Sequence, residues 1–410
     1  MRHPSFWHPS QTLPQVLHEL HPEDLLSSTV EISKNILVKA ISNVNGAIEK
    51  KNTIPVLQNI KIDVIDKNNL LDNNEAKAIK NAVSLTATDM DIVIMSGFDA
   101  DVIRAGSTTV PAQMFFDIIR RMPDNSSVVI SQDNQSSITI KSGKSKYNIP
   151  CIESKEFPEI SDIDLDNEIE IDGANILKMI DRTKFAISND ETRYNLNGIF
   201  LQLIDASDGA SKEIRTVATD GHRLSLSFLE TKSDNNFGVI IPKKAVAEIR
   251  RIIEGESVIK VSVSDVKIKV SSGSATIISK LIDGEFPPYD RVIPKNNTQT
   301  ALIQRKNLID SVERVAIVAT DKHRSIKLSF TSDKLTLQAN SSEGGFAYEE
   351  IDITYSGEPI ETGFNARYLA DIINQIDKEE IIMKFSDNVS PAIIEAEDLS
   401  SLFVIMPIRV

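Results

Sequence analysis

Asp220, His222 and Arg223 lie within four positions in Ala218-Thr-Asp-Gly-His-Arg-Leu-Ser-Leu226. A carboxylate, an imidazole and a guanidinium this close could do hydrolytic chemistry: the acid orients the ring, the ring moves a proton, and the arginine clamps an anion. The same residues also describe a turn. Arg215 to Thr219 alternates ahead of Asp-Gly, and His222 to Phe228 alternates behind it. Asp-Gly between alternating runs is a strong hairpin signal, with positive φ expected at both turn residues. Other candidate chemistry is thinner. Four of the six histidines, His3, His8, His18 and His21, share the first 27 residues with the only tryptophan, Trp7. Their spacing fits no standard zinc pattern, and residues 1–27 are expected to be an extension outside the fold. The single Cys151 excludes an internal disulfide framework and any multi-cysteine metal site, and fits a reducing, cytoplasmic setting. No metal or cofactor is expected, and no nucleophile elbow or phosphate-cradling glycine loop is present.

The elements that must carry these residues repeat. Asn35-Ile-Leu37, Asn175-Ile-Leu177 and Asn307-Leu-Ile309 each open a helical apolar pattern. Each follows a short alternating strand: Thr29–Ile32, Glu168–Ile171 and Thr300–Ile303. A second helix recurs over Val110–Arg120, Ile241–Arg250 and Phe364–Ile373, with Pro111 and Pro242 suited to a first helical position. The hairpin also has a sister, since Leu85-Thr-Ala-Thr-Asp89 precedes Met90-Asp-Ile-Val-Ile-Met95. Asp89 to Asp220 and Pro111 to Pro242 are both steps of about 131 residues, so the landmarks keep phase. The sister copy has Met90-Asp91 in place of Gly221-His222, which makes Asp-Gly-His a turn before it is a catalyst. Three α+β domains with mainly antiparallel sheets follow, over 28–165, 166–297 and 298–410. No apolar run approaches the roughly 20 residues that span a bilayer.

The net charge of −14 argues against indiscriminate nucleic-acid binding. The distribution says more. Six helical windows (33–51, 111–121, 173–186, 242–252, 304–324 and 365–376) hold 19 Lys/Arg and 8 Asp/Glu, which leaves 26 and 51 for the rest. Basic helices on an acidic body suit a surface that meets phosphates without regard to sequence. The chain's 22 aromatic residues form no ladder for stacking single strands, so duplex is the expected nucleic acid.

The triplication resembles the bacterial DNA polymerase III beta subunit family, the sliding clamps. So do Arg193-Tyr-Asn-Leu-Asn-Gly198, Thr216–Leu224, Phe286-Pro-Pro-Tyr289 and Val404-Ile-Met-Pro-Ile-Arg-Val410. The resemblance covers about residues 28 to 410. It implies a non-catalytic processivity factor, a head-to-tail homodimeric ring around duplex DNA with helices lining the hole. Implied partners are the replicative polymerase, the clamp loader, and other polymerases and repair proteins that bring short peptide motifs. The matching peptide-pocket positions are Arg193, Leu196, Thr219, Gly221, His222, Arg223, Leu224, Pro287, Arg291 and Val292. From the third domain come His323, Asn365, Tyr368, Val389, Val404, Ile405, Met406, Pro407, Ile408 and Arg409. Arg193, Arg223 and Asn365 are expected to fix the peptide's polar groups, with His222 as part of a wall. His323 stands where a phenyl ring is frequent, and Ile408 replaces a Met. Expected DNA contacts are Lys51, Arg120, Tyr194, Asn195, Lys243, Arg250 and Arg251, with Asn195, Asp190 and Gln113 departing from the family pattern. Tyr147, Ile317 and Val318 match the subunit interface. The competing readings are a hydrolase built on Asp220 and His222, and a protein-only scaffold ring.

Overall fold

The computed structural model describes residues 28–49, 53–65, 82–134, 136–160, 168–206, 211–231, 233, 235–320, 324–395 and 400–409. The extension 1–27, the expected boundary near 165, and the site residues Lys51 and His323 lie outside the described residues.

Among the described residues, six helices recur as strand-then-helix pairs: α1 (Lys34–Val44), α2 (Ala112–Arg120), α3 (Gly173–Lys184), α4 (Lys243–Ile253), α5 (Arg305–Ala316) and α6 (Ala366–Ile373). Amphipathic spacing explains each of them. α1 buries Leu37, Ala40, Ile41 and Val44, and α5 buries Leu308, Ile309, Val312 and Val315, the three- and four-residue steps that keep one helix face inward. Both are shorter than their windows. Asn45-Gly46 follows α1 in a 3-10 turn, and the Ile317-Val318 pair follows α5. Pro111 and Pro242 are not the first helical residues. Each closes a strand, opposite Asn59 and Gly198 in the ladder. Pro111 has φ −58 and ψ 112, so the ring fixes the bend out of the sheet, and its missing donor falls at a strand end.

The chain forms two compact units. The first reaches to Gly173 and takes in Glu248–Lys280. It holds a five-stranded sheet, with Asp101–Arg104 and Ser145–Pro150 at its edges, and an eight-stranded one. In the larger sheet, Ala275–Lys280 of the second repeat pairs with Ile92–Asp99 of the first, with Ile277 opposite Ile94. The second unit is Ala174–Ala247 with Leu281–Val410. Its nine-stranded sheet joins Arg223–Thr231 to Ser401–Ile405, and its four-stranded sheet has Phe346–Asp352 at one edge. The strands of the second repeat thus divide between the sheets of the two units, which removes edges that would otherwise lie open.

Candidate functional site

The Asp-Gly turn joins Lys212–Thr219 to Arg223–Thr231, and Thr219 pairs with Leu224. Asp220 Oδ1 accepts the N–H groups of His222 at 2.9 Å and Arg223 at 3.1 Å. Thr219 Oγ1 accepts the Gly221 N–H and donates to the Arg223 carbonyl. Gly221 has φ +87, whereas Asp220 does not take a positive φ. A two-residue turn with both residues left-handed is therefore corrected to a four-residue turn closed by an aspartate side chain. The sister turn repeats the geometry. Asp89 Oδ1 accepts from Asp91 and Ile92, Thr88 plays the part of Thr219, and Met90 has φ 81 where Gly221 stands. Asp220 Oδ2 meets Arg223 Nε at 3.1 Å, and the exposed His222 ring stacks on Tyr368 with centroids 6.3 Å apart. The carboxylate thus serves the turn and the arginine, and this geometry makes no acid–base pair for the hydrolase reading.

A Cβ on Gly221 would come within 2.6 Å of Arg193 Nη1. Gly221→Ala combines that contact with a left-handed backbone, so a loss of about 1–2 kcal/mol is expected. An unchanged urea midpoint would show that the turn adapts.

Around the turn, one surface of the second unit gathers the expected pocket residues. Arg193 Nη2 donates to the Asp220 carbonyl at 2.8 Å, and its Nε faces Asp190 Oδ2 at 3.1 Å. The Thr192 hydroxyl and N–H, both donating to Asp190, hold that carboxyl below its usual range. Leu196, Leu224 and Val404 share one apolar cluster with Val217, Leu226, Ile240, Phe286 and Tyr289. The last residues are stitched across it: Met406 N–H donates to the His222 carbonyl and Ile408 N–H to the Gly363 carbonyl, each at 2.9 Å. Pro287, Tyr368, Met406, Pro407 and Ile408 are half-buried, and Arg291, Val292 and Arg409 are exposed. Val389, 71% exposed, sits on a loop whose N–H groups are held by Asp387 and whose Asn388 carbonyl accepts from Thr362.

Two of the expected pocket residues are buried. Arg223, expected to fix a peptide's polar groups, is 8% exposed and bonded within the chain. Its guanidinium donates to Asp371 Oδ2 at 2.6 Å and the Phe185 carbonyl at 2.7 Å, between the rings of Phe185 and Tyr368. It is the strut that fixes α6 to the turn. Ile405 is fully buried in the separate cluster of Ile303, Leu308 and Phe403, because neighbours on a strand face opposite ways. Asn365 caps α6, its Oδ1 accepting from Arg367 and Tyr368. The sequence reading missed Phe185 and Asp371, since nothing local marks a pairing 148 positions apart.

The basic residues sort less uniformly than composition suggests. Arg120 is exposed, with Asp117 at 3.1 Å, and Lys243 is exposed, with Asn189 at 2.6 Å. Arg250 lies 3.7 Å from Glu254. Arg251 donates to the Ser42 and Asn43 carbonyls near the C-terminal end of α1 and to Glu248. There it offsets unsatisfied carbonyls and the helix dipole, so this expected DNA contact is also engaged within the chain. Asn195 Nδ2 donates to the Glu285 carbonyl at 3.0 Å, so its amide ties a loop, while Tyr194 is exposed over Gly284. Lys34 and Arg182 are buried, so part of the helical excess is structural. Tyr147 is exposed on the edge strand Ser145–Pro150, and Ile317 is 77% exposed. Val318 packs near Gly345, beside the other open edge.

Three family models match in tandem. These are the N-terminal domain of the DNA polymerase III beta subunit over 29–161, its central domain over 170–288 and its C-terminal domain over 290–409. The beta sliding clamp of Caulobacter vibrioides is 36% identical over 385 residues, covering 92% of this chain and 99% of the relative. That of Rickettsia felis is 33% identical, with the same coverage. The crystal structure of the sliding clamp from Bartonella birtlesii bound to griselimycin has a TM-score of 0.87 at 35% identity, over 94% of this chain and 100% of that one. Tandem matches of this kind on an α+β chain define a DNA-clamp protein. The chain belongs to the DNA polymerase III beta subunit family, the bacterial beta sliding clamps, and its function is that of a DNA sliding clamp.

Proposed function

We propose that two copies close head-to-tail around duplex DNA in the cytoplasm, without catalysing a reaction. Helix cations face phosphates, and the surface around Met406 holds peptide motifs from the polymerase, the clamp loader and repair proteins. The observation that supports the reading is the gathering, beside the Asp220–Arg223 turn, of Arg193, the exposed His222 stacked on Tyr368, and Met406 hydrogen-bonded to His222, over the apolar cluster of Leu196, Leu224 and Val404. For the dimer, support comes from two open sheet edges, Ser145–Pro150 and Phe346–Asp352. The first carries Lys146 and Tyr147, with Lys144 beside it. The second carries exposed Phe346 and Tyr348 with Glu349, Glu350 and Asp352. Aromatic side chains of opposite-charge edges suit addition of one strand to another. The domain boundaries near 165 and 298 belong to the same reading.

The test is topological. Protein loaded on nicked circular DNA should be retained through gel filtration and lost once the circle is linearised. Arg120→Glu with Arg250→Glu should weaken retention at low salt and lower the slope of log K against log[salt] by about one per cation removed. Arg251 is left unchanged because its loss would cost stability. Equal retention on circular and linear DNA would overturn encirclement, and equal retention by wild type and variant would remove those cations from the DNA surface.

A further inference from the structure

Pro287, Arg291 and Val292 edge the peptide surface from a segment with little regular structure of its own, a 3-10 turn over Tyr289–Arg291. Something must hold it. Phe286 stacks on Phe200 at 4.9 Å and 3°, and the Tyr289 ring meets both edge-on at 6.3 and 6.4 Å. Tyr289 is 5% exposed, so its hydroxyl needs partners, and it has them on the neighbouring strands. It donates to Gln202 Oε1 at 2.8 Å and accepts from Arg215 Nη1 at 3.3 Å. Arg215 is in turn oriented by Glu213, with its Nε 2.8 Å from Oε2. The Val292 N–H then bonds back to the Tyr289 carbonyl at 2.9 Å.

We infer that Tyr289, Gln202 and Arg215 form a positioning latch that sets the reach of Pro287 and Val292 over the peptide surface, and so tunes peptide affinity without touching the peptide. This deepens the peptide-binding reading above and rests on it. Stacking of Phe286 fixes the plane of the segment but leaves it free to slide along the face of Phe200. The two hydrogen bonds from Gln202 and Arg215 stop that slide, because each needs the hydroxyl at one place. Burial pushes the Tyr289 hydroxyl above its ordinary pKa.

The experiment uses the full-length chain with a labelled Gln- and Leu/Phe-containing peptide in fluorescence polarisation. Tyr289→Phe keeps the ring and removes the hydroxyl, and Gln202→Leu removes only the acceptor. Each should weaken peptide binding by about three- to tenfold, the worth of a typical hydrogen bond, with the solution mass unchanged. A double-mutant cycle of Tyr289→Phe with Val292→Ala should show coupling, since the latch acts through that segment. Wild-type affinity in both latch variants overturns the inference, whatever happens to the melting temperature. Strictly additive losses in the cycle also overturn it, because they mean general loosening. No binding by wild type would refute the peptide-binding reading itself, and the latch with it.

Discussion

Removal of Met406 to Val410 is expected to weaken peptide binding by about two decades or more while leaving the subunit mass and DNA retention unchanged. Met406 and Ile408 are half-buried apolar side chains held over the surface by bonds to His222 and Gly363, and Pro407 stiffens the crossing. Full burial of one such side chain is worth about 1.5–3 kcal/mol, 1.4 kcal/mol is about a tenfold change in affinity, and a few anchors carry most of an interface. The fold should tolerate the loss, because the strand Ser401–Ile405 keeps its ladders with Arg223–Ser227 and Ala392–Glu395. Fluorescence polarisation on the truncated protein checks it. Wild-type affinity would move the peptide surface elsewhere on the chain.

Ile317→Lys is expected to give a folded monomer. Ile317 is 77% exposed at the end of α5 among the described residues. Tyr147, Phe346 and Tyr348 are exposed on the two open edges. If Ile317 meets the lysine-bearing edge of a second copy, a lysine there buries an unpaired charge against like charge, which costs several kcal/mol and thousands-fold in association. Sedimentation velocity reads the outcome directly. A dimer of undiminished affinity would show that this edge is not the interface. Because Ile317 makes little of the core, the melting temperature of the monomer is a fair control for folding.

The residues of the turn show how far sequence alone went. That Asp220-Gly221 joins two strands, that Asp89 marks its sister, and that three strand–helix units recur were all legible, because alternation, helical period and repeat spacing are local properties of the chain. The pocket positions came from the resemblance of Arg193-Tyr-Asn-Leu-Asn-Gly198 and the C-terminal run to the sliding-clamp family, not from alternation or period, and they stand as part of the proposed function. The turn type was not legible. Whether Asp220 takes a left-handed backbone or caps the turn with its side chain depends on competing hydrogen bonds that leave the same letters. The roles of Arg223 and Arg251 were also beyond the sequence. A guanidinium reads as a free cation until its partners are known, and those partners, Asp371 and the carbonyls of Ser42 and Asn43, are 148, 209 and 208 residues away. Ile405 lies beside Val404 in the motif yet faces another core, since the pleat sends neighbours to opposite sides of the sheet. The tertiary structure alone decided which strands of the second repeat joined the first and which joined the third, because sheet edges are satisfied by whichever strand arrives in register. Tyr289 needed the same information. Its hydroxyl became a latch only once folding brought Gln202 and Arg215 to it from strands that precede it by more than seventy residues.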